Sequence, residues 1–280
     1  PRASARSART SWQSPWERTT APSPWTELIG RVGFGVTLPL QARLAVATGE
    51  ALRAIGSPAP LVNACFPDAV NPVLARLGVP VLCGIGNVAI VAAGLRTALG
   101  GPGGPGGRLR VLAHHAQLHA PADPADEVRA WVDDEPVPGV GALLADLRRV
   151  AAAELNQITG YGAARVLADL LASRREVHTN LPGPHGRPGG YPVRITGALP
   201  DLDLTLDLPA GVSEAEAVAG NERAMALDGI ALDGDHVRLT AAAAAAAAHL
   251  PPDLPAAFAM ADVVDAAERL DALRTRLRRP

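Results

Sequence analysis

The chain has no lysine: all 26 of the basic side chains counted among its 280 residues are arginine. Without an amine there is no Schiff-base chemistry, no lysine general base and no P-loop lysine. A GC-rich genome accounts for this absence and for the many Ala, Gly, Pro and Arg residues. Aromatic residues are scarce at 3% and the net charge is only -2. The chain therefore has few stacking platforms for bases and no positive field for an anionic surface, so neither nucleic acid nor a membrane is an expected partner. Only two cysteines occur, Cys65 and Cys83, both in apolar strand contexts and without the spacing of a zinc site. Reduced thiols in a cytoplasmic protein are expected. No apolar run approaches the ~18 residues of a membrane span, and the N-terminus lacks a hydrophobic signal core.

What is present is apolar and patterned. Hydrophobic residues make up 48% and charged residues 19%, which describes a globular chain able to form one large domain or two small ones. Residues 1–26 stand apart: they carry three of the four tryptophans and no apolar periodicity. They read as a disordered leader or the product of a misjudged gene start.

From Leu28 the chain becomes orderly. Residues 27–100 predict a partial Rossmann-like domain, with a strand and turn over Leu28–Pro39 and a helix over Leu40–Ile55. A strand ending at Asn63, a helix from Val70 to Leu77, a strand from Val79 to Cys83 and a helix from Val88 to Leu99 follow. Residues 101–107 are a Gly/Pro linker. Residues 108–260 predict an α+β substrate or dimerisation domain, and residues 261–280 a terminal helix. Within 108–260 strands are expected at Leu109–Leu118, Val128–Val132, Pro192–Thr196, Leu202–Leu208, Ile230–Leu232 and Val237–Thr240. Asp233-Gly234 marks a hairpin turn, and helical stretches at Gly139–Leu155 and Ile158–Ser173 break near Gly160 and Gly162. The expected fold class is α/β: a partial doubly wound (Rossmann-like) parallel sheet followed by an α+β domain, compatible with a homodimer.

The stretch LVNACFPDAVNPVLARLGVPVLCGIGNVA, residues 61–89, places polar and small residues where strands end and helices begin. Ligands gather there because free N–H groups point outward. Gly84-Ile85-Gly86-Asn87 opens a helix after a strand and matches the start of a dinucleotide fingerprint. The acidic residue expected about 20 positions on is missing, so a later strand end of a nucleotide-binding sheet is the better reading. Asn63 and Asp68 can orient a nicotinamide or a donor; equally, Asp68 can cap the helix while Asn71 satisfies the turn. In LAHHAQLH, alternation along a strand would put His115 and His119 on one face and His114 on the other. His115 suits proton transfer at a domain interface.

Two further stretches carry donors. In LPGPHGRPGGYPVR, residues 181–194, Arg187 and Arg194 can hold a substrate carboxylate while His185 or Tyr191 transfers a proton; a structural crossing loop is the plainer alternative. Asn156 precedes Gly160 and Gly162 in a helical stretch where glycine costs about 1 kcal/mol against alanine, which points to a close approach by a backbone or a ligand.

Taken with the linker and PGGYPVRI, the stretch VNACFPDAVNPVLARLGVPVLCGIGN resembles the later part of two-domain dehydrogenases of the saccharopine and opine dehydrogenase-like group. The resemblance implies hydride transfer at a C–N or C–O centre of a small carboxylate-bearing substrate, with NAD or NADP between the domains. It places Asn63, Asp68, Gly84, Gly86 and Asn87 on the cofactor side and His115, Asn156, His185, Arg187 and Tyr191 on the substrate side. The phosphate-binding glycine loop of such enzymes lies near their start, where this chain has residues 1–26, so a truncated form is expected. The alternatives are a non-catalytic α/β protein that binds a small anion or a partner, and, more remotely, a metal-dependent hydrolase built on His115 and His119.

Overall fold

Ser23 followed by Pro24 is a helix start: Ser23 Oγ accepts the Thr26 N–H at 3.3 Å, and proline occupies a position where no N–H is needed. The computed structural model, which describes residues 23–100, 106–172, 176–199, 201–248 and 254–278, begins with that helix, α1 (Pro24–Val32). Trp25, Leu28 and Val32 recur at intervals of three and four and form its buried face. The strand expected over Leu28–Pro39 is therefore a correction: α1 runs into a 3-10 turn at Phe34–Thr37 and then into α2 (Leu38–Ala54). Ser23 of the expected leader caps α1 and residues 24–26 belong to it, while residues 1–22 lie outside the described residues.

The unit that follows matches its sequence pattern. β1 (Leu61–Asn63) and β2 (Val81–Gly84) pair in parallel across α3 (Pro67–Arg76), and α4 (Asn87–Gly100) leaves the end of β2. This parallel sheet has two strands rather than the three expected, and the class that holds is mixed α/β. Pro72 lies inside α3 and cannot donate to the Asp68 carbonyl four residues back. That carbonyl accepts instead from the Gly189 N–H at 2.8 Å, so the break in the helix ladder docks a distant loop.

Antiparallel sheets complete the fold. β3 (Leu109–Leu112), β4 (Arg129–Val132) and β5 (Glu135–Pro136) form one. α5 (Val140–Leu143) and α6 (Ala152–Ala172) lead to the second, made of β6 (Val177–Pro182), β7 (Gly190–Thr196) and β8 (Asp203–Leu206). After α7 (Glu214–Leu227) the third comprises β9 (Ile230–Asp233), β10 (His236–Leu239) and β11 (Ala257–Ala259), with α8 (Ala241–Ala247) and the terminal α9 (Val263–Arg278) packed nearby. The strand expected over Leu109–Leu118 stops at Leu112, and β6 turns the proline-rich 181–194 stretch into a hairpin. α6 runs unbroken through Gly160 and Gly162; a Cβ at Gly160 would meet open space, so no close approach explains that glycine. Residues 101–105 of the expected linker lie outside the described residues.

All four hydrophobic clusters take residues from both sides of the linker. The cluster around Val70 and Leu74 includes Met225 and Ile230, and the one around Trp25 includes Leu270 and Leu273. Apolar burial thus binds the two expected domains into a shared core.

α7 ends in a way that matters for the site. Ser213 and Glu216 form a capping box at its start, and Gly229 follows Asp228 at its end with φ +85°. A Cβ at Gly229 would run into the Val32 carbonyl. Gly229→Ala is expected to destabilise the protein by more than ~1 kcal/mol, because the native φ is unfavourable and backbone blocks relief. Gly30→Ala, in open space within α1, is expected to stabilise by up to ~1 kcal/mol. Urea unfolding midpoints at unchanged slope check both.

Candidate functional site

His115 is held at one ring nitrogen by an acid and at its face and edge by two aromatic rings. β3 ends at Leu112, and a 3-10 turn at His115–Leu118 begins with the His114 N–H donating to Gln117 Oε1 at 2.8 Å. The turn sends the His114 side chain into the interior and the His115 ring toward α1 and α3. That ring stacks on Phe34 at 4.4 Å between centroids and meets Phe66 edge-on at 5.2 Å. Its Nδ1 lies 2.9 and 3.1 Å from the two carboxylate oxygens of Asp228, so Nδ1 carries the proton and Nε2 is left for chemistry.

Asp228 is 5% exposed and its Oδ2 also lies 3.3 Å from His114 Nδ1. Burial pushes the Asp228 carboxyl up, yet hydrogen bonds from His114 and His115 and their charge hold it down at about 2. For His115 burial works to lower the pKa, and the hydrogen bond and charge of Asp228, with the charge of Asp68, raise it above the ordinary 6.5. A buried carboxylate that fixes one imidazole nitrogen orients the other, an arrangement also met in general acid–base pairs. Asp228 and Phe34 were invisible to motif reading. The capping box at Ser213 and the Asp228-Gly229 helix end were the available signals.

Asp68 is fully buried and supports this arrangement from behind. Its Oδ1 accepts the His115 N–H at 3.1 Å and its Oδ2 accepts from Asn87 Nδ2 at 2.9 Å. It therefore neither caps α3 by its side chain nor lines the cavity; it ties three segments together. Asn63 has a comparable scaffold role: its Oδ1 accepts the Cys65 N–H at 2.8 Å, and its Nδ2 donates to the Cys65 carbonyl and to Asn71 Oδ1. Asn71 in turn donates to the Gly183 carbonyl at 3.0 Å. The β1–α3 turn passes through Phe66 at φ 43°, a left-handed conformation held by these bonds.

Beside His115, at the ends of β1 and β2, lies a cavity of about 500 Å³. Its wall includes Phe34, Phe66, Gly86, Asn87, His115 and Asn156. Gly86 leaves open space, its nearest neighbour for a Cβ being Pro67 at 4.0 Å, whereas at Gly84 the ring of Pro67 already fills that place. Gly84 therefore serves packing, and only Gly86 of the glycine pair presents backbone to the cavity.

The structure brings His115, Asn156, Gly86 and Asn87 together and corrects the rest of the expected substrate side. His185 is exposed, and its Nε2 donates to the Leu204 carbonyl at 2.8 Å. Arg187 pairs with Glu214 at 2.7 Å, Arg194 is an exposed residue of β7, and Tyr191 is fully buried in a hydrophobic cluster with its pKa raised by burial. The 181–194 stretch spends its donors on its own hairpin and neighbouring chain. His115 and His119 share a wall and His114 points away from it into the interior, but a 3-10 turn rather than the expected strand alternation separates them. Among the described residues no three His, Cys, Asp or Glu side chains are grouped to hold a metal ion, and no helix is long and apolar enough to cross a membrane. No protein-family model matches the chain, nor does any curated protein or solved structure.

The raised His115 pKa makes the pair's contribution to stability complete below the unfolded-state value of about 6.5 and lost as pH rises through the folded-state value. Asp228 contributes above 3.8, and that contribution is lost as pH falls through about 2. Asp228→Asn is expected to destabilise by about 3–5 kcal/mol, the range for breaking a buried pair from one side. It should also move the His115 midpoint downward, because burial then acts with less opposition. Proton NMR titration of the imidazole C–H signals reads that shift, and an unmoved midpoint would assign the effect to Asp68.

Proposed function

We propose that this chain is an enzyme in which His115 Nε2 moves a proton at a carbonyl or hydroxyl centre of a small molecule bound in the cavity at the strand ends. The observation that carries the reading is the His115–Asp228 pair, fixed at 2.9 Å beside a cavity of about 500 Å³. A histidine with one nitrogen anchored, its ring face stacked and the other nitrogen open is oriented for acid–base work rather than for packing.

The reaction class that agrees with the resemblance in residues 61–89 is NAD- or NADP-dependent dehydrogenation. The wall suits a nicotinamide nucleotide in three respects: bare backbone at Gly86, aromatic faces at Phe34 and Phe66, and amides at Asn87 and Asn156. When bound, such a group supplies hydride chemistry. The chain's own part is to accept or donate the proton at His115 Nε2, to stabilise the imidazolium through Asp228, and to hold the turn through Asp68. The finer fold reading, a reduced Rossmann-like unit, rests on the parallel β1–α3–β2 crossover.

Thermal-shift titration of the full chain with NAD, NADP and their reduced forms tests nucleotide binding, since a ligand for the folded state raises its apparent stability. A saturable shift with one nucleotide, together with nucleotide-linked turnover of a carbonyl compound that falls roughly 10²–10⁴-fold in His115→Gln while the shift persists, is the expected result. No shift with any of the four removes the dehydrogenase class. Turnover that survives His115→Gln removes the acid–base assignment.

A further inference from the structure

A second cleft, of about 540 Å³, adjoins the first and shares Phe34, His115 and His119 with it. Its other walls come from the end of α1, from the 116–122 segment and from the end of α7 at Leu227 and Asp228. Ile29, Leu227 and Pro121 supply apolar surface, and Gly30, Ala120 and Ala122 leave the space. His115 thus stands between two ligand-sized spaces of different chemistry.

We propose that this second cleft is the substrate subsite, and that it takes an uncharged ketone, aldehyde or alcohol with a short apolar chain. The proposal rests on His115 as the acid–base of the preceding section, since the polar end of such a molecule would meet that ring. The charge pattern decides against a carboxylate. Among the described residues no arginine lines the second cleft, and the chain has no lysine. In the first cavity Arg148 is already bidentate on Glu127, at 2.7 and 2.8 Å, and donates to the Gln117 carbonyl at 2.9 Å. The arginines of the 181–194 stretch lie outside both spaces. A carboxylate in the second cleft would sit beside the Asp228 carboxylate, to which the His115 ring is already committed, and like charges side by side repel. A neutral carbonyl needs one donor, which the imidazole provides.

Pentan-2-one and 2-oxopentanoate share a propyl chain and a carbonyl and differ in a methyl against a carboxylate, so they isolate the charge. Saturation-transfer NMR near neutral pH measures their binding to the full chain without nucleotide. The ketone is expected to bind at least about tenfold more tightly. Two variants fill the cleft from opposite walls: Gly30→Leu, where a Cβ meets open space on a helix, and Ala120→Phe, at an exposed loop position. Both should abolish the ketone signal while circular dichroism confirms an unchanged fold. Equal or tighter binding of the keto acid, absence of ketone binding, or a ketone signal untouched in both folded variants would overturn the proposal. Nucleotide thermal shifts on the same two variants separate this subsite from the cofactor reading, because neither residue lines the first cavity. Ketone binding without any nucleotide shift would sink the dehydrogenase class and leave the subsite standing.

Discussion

The Asp228 carboxylate is buried at the end of α7, and a charge in that position must find partners or be neutralised. Its two imidazole partners, His114 and His115, come from a turn more than a hundred residues earlier in the chain. Bringing them together requires the α7 end to press on the turn between α1 and α2, where the Gly35 N–H donates to the Asp228 carbonyl at 2.8 Å and a Cβ at Gly33 would collide with that carbonyl. The glycines of the 33–35 stretch are thus a consequence of the buried acid. So is the placement of Phe34 between them, which gives His115 its stacking face.

The rear of the site is built with the same economy. Asp68 receives one N–H from the His115 backbone and one from the Asn87 side chain, so a single carboxylate sets the height of the histidine turn and the entry of α4. Pro72 frees the Asp68 carbonyl for Gly189, and Asn71 reaches the Gly183 carbonyl from the same helix. The β6–β7 hairpin is therefore fastened to α3 by polar bonds at both ends of its loop. Its many prolines and glycines shape it for that contact.

The parts legible in the sequence were those governed by short-range rules. β1, α3, β2 and α4 follow from two apolar runs ending in Asn and Gly with Pro, Asp or Asn behind them. The separation of His114 from His115 and His119 was legible in LAHHAQLH as well, although a 3-10 turn rather than a strand produces it. Long-range pairing was not legible. Asp228 looks like an ordinary helix-end residue until α7 is folded against the histidine turn, and α7 itself is alanine-rich, with little apolar stripe beyond its capping box. α1 was lost because its first buried residue, Trp25, sat in a stretch whose composition resembled a leader. Gly84 shows the limit of motif logic: the spacing that suits a phosphate here suits the ring of Pro67.

Arginine shows the same limit in another form. Read along the chain, Arg187 and Arg194 among prolines and glycines suggest a clamp for a carboxylate. In the folded chain three arginines serve as staples: Arg110 spans Asp134, Asp207 and the Asp133 carbonyl, Arg148 spans Glu127 and the Gln117 carbonyl, and Arg187 meets Glu214. A planar guanidinium with several donors is well suited to joining acids and carbonyls from separate elements, and in a chain without lysine it also carries every side-chain cation that does not titrate near neutrality. Among the described residues lining the two spaces beside His115, the one arginine is already committed to its own carboxylate and carbonyl. The chemistry left to the site is that of imidazole, amide and aromatic surface. Shape and one proton, more than charge, are what these walls offer a ligand, and this is the physical reason the proposed acid–base role falls on the pair of Asp228 and His115 rather than on the arginine-bearing loop.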